Sequence, residues 1–141
     1  MPKALESNTR EKVETVADWD GLRGYIRANY KIAKDDLNVM HLLFETEAGR
    51  TQLVYVEKLA DTGWAEISTA VCKEGDINPR DALIRNSRMT VGALALVDGG
   101  PVIFRHSFPL ANLEPSEFEE PLRVVVNYGD QLERELGGDR F

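Results

Sequence analysis

The chain has 141 residues, 43% of them hydrophobic and 29% charged, the mix of a globular protein rather than a disordered or fibrous one. Lys and Arg number 17 against 24 Asp and Glu, a net charge of −7, which repels phosphate backbones and anionic membrane surfaces and so speaks against nucleic-acid or membrane binding. The lone Cys72 can form neither an internal disulfide nor a thiolate zinc site. The opening MPKALESNTREK has no apolar leader core, and no apolar run approaches the roughly 18 residues of a membrane span. The expectation is one cytoplasmic domain over 1–141, long enough to bury about two thirds of its unfolded surface.

In chain order, the spacing of Val13, Val16, Ala17, Leu22, Ile26 and Tyr30 predicts helix from Met1 to about Tyr30, with Asp20 as N-cap of its second half. Lys31–Asn38 reads as a polar connection. Three strands follow, at Asn38–Glu47, Thr51–Lys58 and Trp64–Lys73, joined by short Gly-containing turns that imply an antiparallel meander. Asn78 is a good N-cap with Pro79 at the first helical position, so a short helix runs to about Arg88, its apolar face built from Ala82, Leu83 and Met89. Thr90–Val97 and Val102–Phe108 flank Asp98-Gly99-Gly100-Pro101, strong hairpin chemistry. Pro115 opens a last amphipathic helix from about Glu114 to Leu136, with the stripe Phe118, Leu122, Val125, Val126, Gly129, Leu132 and Leu136. The order α-β-β-β-α-β-β-α predicts an α+β domain whose helices pack on one face of an antiparallel sheet.

The second half carries a resemblance. Leu83-Ile84-Arg85-Asn86 closes the short helix, Gly92-Ala93-Leu94-Ala95-Leu96 makes an apolar strand, and Val102-Ile103-Phe104-Arg105 with Phe108-Pro109-Leu110 forms its hairpin partner. The final helix then carries Val124-Val125-Val126 and Tyr128-Gly129-Asp130-Gln131-Leu132-Glu133. This wording resembles the class I type III secretion chaperone fold, nearest its YbjN-type and Tir-chaperone-like relatives. The resemblance implies a bacterial homodimer without an enzymatic step or cofactor, a binding module that captures an extended or amphipathic segment of a partner polypeptide. A YbjN-type regulatory protein, acting in signalling or stress response and sensing a small ligand, is the alternative it implies.

No constellation of catalytic residues competes with that reading. His41 and His106 lack a third ligand placed by spacing and read as structural. Cys72 has only Lys73 beside it, too little to activate a thiolate. Ser87 and Ser107 sit in no Gly-x-Ser-x-Gly elbow. Arg80, Arg85, Arg88 and Arg105 gather near the second helix and offset neighbouring acids. The informative feature is an apolar excess. Val54 and Val56 face opposite to Leu53 and Tyr55, and Phe104 faces opposite to Ile103 and Arg105, so both faces of the sheet keep apolar groups. The expectation is a partner or dimer surface carried by Val54, Val56, Phe104, Leu94 and Leu96 on the uncovered face, with Trp64 and Phe44 beside them.

Overall fold

The computed structural model describes residues 16–46 and 49–137. Helix α1 spans Trp19–Asn29 and is followed by four strands, β1 (Ile32–Asp35), β2 (Val39–Glu45), β3 (Thr51–Lys58) and β4 (Trp64–Cys72). A 3-10 turn at Glu74–Asp76 leads to α2 (Pro79–Ser87), the hairpin β5 (Ala93–Leu96) and β6 (Val102–Pro109), and α3 (Pro115–Leu132), which runs into a π-helical turn at Glu133–Gly137. The six strands form one antiparallel sheet in the order β1-β2-β3-β4-β6-β5. The α+β class and the antiparallel sheet stand as expected.

Two local readings change. The segment expected to be a connection contains β1, a short edge strand whose residues are mostly exposed, so its sequence carries no apolar alternation to announce it. The N-cap of α1 is Asp18, not Asp20: the Asp18 carboxylate accepts from the Gly21 amide at 2.8 Å, and Asp20 lies in the first turn. The part of the expected first helix that precedes Val16 lies outside the described residues. α2 begins as the sequence implies, with Asn78 accepting from the Arg80 amide at 2.8 Å and Pro79 in the first turn.

One face of the sheet lies beneath the helices. Phe104 meets Tyr128 of α3 with ring centroids 5.3 Å apart, Phe108 meets Phe118, and Phe44 of β2 meets Tyr30 just after α1. α3 comes close because residue 129 is glycine: a Cβ there would stand 2.5 Å from the Thr69 methyl of β4. The core is therefore Met40, Leu42, Val54, Val56, Ala65, Ile67, Phe104 and Phe108 from the sheet, against Leu22 and Ile26 of α1 and Phe118, Leu122, Val125 and Leu132 of α3. At the end of α3, the buried Asp130 and Glu133 both pair with Arg50, at 2.9 and 3.5 Å, tying the helix to the start of β3.

This packing reverses the expected surface. The alternation sorts the strand residues correctly into two sets, but the set containing Val54, Val56 and Phe104 is the covered one, and all three are wholly enclosed. Leu94, paired with Phe104, is also buried. Val54, Val56 and Phe104 present no surface to a partner. The open face instead carries Leu43 opposite Leu53, His41 ring-to-ring with Tyr55 at 4.6 Å, and Ile103 opposite Ala95, all half-buried. Phe44, expected among the uncovered groups, lies on the helical side, whereas Trp64 is exposed.

Candidate functional site

Of the five residues expected to form a surface, Leu96 alone is exposed, and it marks the site. α2 has no buried residue. Its axis leans on the edge strand β5, and between the two lies an apolar groove of about 260 Å³ walled by Ile77, Pro79, Ala82, Leu83, Leu94, Ala95, Leu96 and Val102, with Glu74 and Asn86 as its polar members. Leu83 is 69% exposed, Leu96 51% and Val97 42%, three of the five exposed large hydrophobic side chains among the described residues. Isolated exposed leucines need no explanation, but Leu83 and Leu96 flank one apolar hollow and form with it a patch that water solvates poorly.

The sequence places these side chains by ordinary means. The Asn78 cap and Pro79 start α2 so that Ala82 and Leu83 fall toward β5, and the Asp98–Pro101 turn sets Leu96 and Val97 at the hairpin tip. The position of α2 against the strand is held by Asn86. Its Oδ1 accepts from the Leu94 amide at 2.8 Å, and its Nδ2 donates to the Leu94 carbonyl at 3.1 Å. Sequence reasoning noticed Asn86 only as part of the Leu-Ile-Arg-Asn wording; nothing in its spacing says that it meets a strand.

The other candidates fall into structural roles. His106 accepts from the Gly92 amide through Nδ1 at 3.2 Å, and burial together with the nearby Arg105 charge holds its pKa below the usual histidine value. His41 lies on the opposite face against Tyr55, so the two histidines share no site. Cys72 is buried. Arg105 pairs with Glu66 and Arg85 with Glu135, which splits the arginines expected near α2 between two ion pairs on different faces. Between α1 and α3, Tyr25 and Tyr30 both donate to the Glu119 carboxylate, the latter at 3.1 Å. Burial and that carboxylate push the Tyr25 hydroxyl up to about 12 and Tyr30 further. No group of three or more metal-ligating side chains comes together among the described residues, and no helix among them is long and apolar enough to cross a membrane.

No protein-family profile matches the chain, and no curated protein matches it. Among solved structures the α+β fold has a clear counterpart. The similar chain comes from the structure of the HopA1–SchA chaperone–effector complex; the alignment covers 80% of this chain and 90% of that one, with a TM-score of 0.61 and 11% identity. At that identity the likeness concerns the fold.

Proposed function

We propose that this chain is a non-enzymatic, homodimeric protein-binding module of the secretion-chaperone kind, a single domain over 1–141 that acts in the cytoplasm and captures an extended or amphipathic segment of a partner polypeptide. The observation that carries the reading is the groove between α2 and β5, lined by the exposed Leu83 and Leu96. A projecting Leu83 beside an apolar hollow is the arrangement a two-fold contact needs, since the knob of each copy can fill the hole of the other. Partner capture is supported by the shared fold with a chain of a chaperone–effector complex. The half-buried apolar row on the open sheet face (Leu43, Leu53, Ile103) offers a further surface for a polypeptide.

At the α2–β5 groove, the scarcity of polar groups leaves little to orient a small ligand, which favours an apolar polypeptide surface there over a metabolite. The test is the mass of the purified chain by light scattering, with and without Leu83→Asp or Leu96→Asp, together with the proteins retained by each tagged form in its native cells. A wild-type dimer that the two substitutions turn into folded monomers supports the groove. A wild-type monomer, or variants that stay dimeric, overturns it.

A further inference from the structure

The sheet has two edges, β1 and β5, and they are unequal. An exposed edge strand offers unpaired amides and carbonyls to any other strand, and proteins block such edges in specific ways. In an antiparallel ladder alternate residues turn their backbone groups toward the neighbour and away from it. Along β5 the Val97 amide bonds to the Pro101 carbonyl across the hairpin, so Val97 and Ala95 face β6, while Leu94 and Leu96 face outward. Both outward groups of Leu94 are taken by the Asn86 side chain, whose amide presents one donor and one acceptor as a neighbouring strand residue would. The amide of Gly92, just before the strand, bonds inward to His106 of β6 and so is no part of the free edge. Leu96 is then the single residue of β5 whose outward groups no side chain occupies, and one residue does not seat a strand.

We infer that Asn86 closes the β5 edge against strand addition, so that the α2–β5 groove receives the second copy through apolar side chains alone and the sheet ends at β5 in the dimer. Asn86 is thus a positioning residue with two effects: it fixes α2 against the strand, and it removes the backbone template that would let the chain polymerise edge to edge. The occupant rests on the dimer reading above; the closure does not.

The experiment follows the Leu94 amide by hydrogen exchange over a dilution series of the full wild-type chain, and the mass of Asn86→Ala by light scattering over the same series. Closure by Asn86 means that the Leu94 amide is equally protected at the lowest and highest concentrations. Asn86→Ala then exchanges at Leu94 about tenfold faster, the loss of one hydrogen bond, and assembles into species larger than the dimer. Leu94 protection that arises only as copies associate overturns the proposal, because a partner strand would then be supplying the bonds. So does an Asn86→Ala chain with wild-type mass and exchange. If Asn86→Ala does not fold, the wild-type series decides by itself. A wild-type chain that is monomeric throughout defeats the dimer reading, while protection of Leu94 in that monomer still upholds the closure.

Discussion

Two helices of this chain solve opposite problems. α3 buries eight of its residues, among them Phe118, Leu122, Val125 and Leu132, against the sheet. α2, half as long, buries none and leaves Leu83 in water. A short helix is marginal without tertiary burial, so α2 owes its place to polar devices: the Asn78 cap, Pro79, and the Asn86 bonds to Leu94. The difference separates the part of the molecule that holds the fold from the part left incomplete until something covers it. An apolar groove held by hydrogen bonds and only partial burial of Ile77 and Ala82 is suited to an interface, because it leaves apolar surface for a partner to cover.

Substitutions should separate the two regions by magnitude. Phe104→Ala removes the wholly enclosed ring that packs on Tyr128 and is expected to cost roughly 3–5 kcal/mol in urea unfolding. Gly129→Ala places a methyl 2.5 Å from the Thr69 side chain; an overpacking cost of about 1–3 kcal/mol outweighs a helix-propensity gain of at most about 1, for a net loss in the same assay. Leu83→Ser, at a 69% exposed position, should change the stability of the dilute chain by less than about 0.5 kcal/mol while weakening self-association in sedimentation. A Leu83→Ser loss as large as that of Phe104→Ala would erase the distinction between the two helices.

The smallest effect expected is a pH dependence. Because burial and Arg105 lower the pKa of His106 in the fold, the folded chain resists its protonation. The associated stability is complete above the unfolded value near 6.5 and is lost as pH falls through the lower folded value. His106→Gln should therefore flatten the fall of melting temperature between about pH 7 and about pH 5. Asp35 acts in a separate range: hydrogen bonds from Arg27 and Arg23 lower its pKa, so what it adds fades only below about pH 4. Asp35→Asn should leave the higher window untouched.

Local signals in the chain were enough to place most elements. The Asn78-Pro79 start of α2, the Asp98–Pro101 hairpin and the Phe118-to-Leu132 stripe of α3 each rest on residues within a few positions of one another, and short-range chemistry decides them. Strand β1 escaped because an edge strand with little burial has no apolar period to read. Asn86 and Leu94 stand eight residues apart with a turn between, and no periodicity relates a helix's last polar residue to a strand's outward backbone.

By itself the sequence determined the α+β class, the meander and hairpin, and the division of each strand into two faces, since alternation is a property of the chain alone. It did not determine which face is inside. Both sets are apolar, with Val54, Val56 and Phe104 on one side and Leu53, Tyr55 and Ile103 on the other, so hydrophobicity has no preference to express. That choice fell to the close approach of α3, which Gly129 permits against Thr69 and which encloses Phe104 beneath Tyr128. The same placement sent the exposed apolar surface to the groove between α2 and β5, because burial depends on which elements meet in space and not on where they stand in the chain.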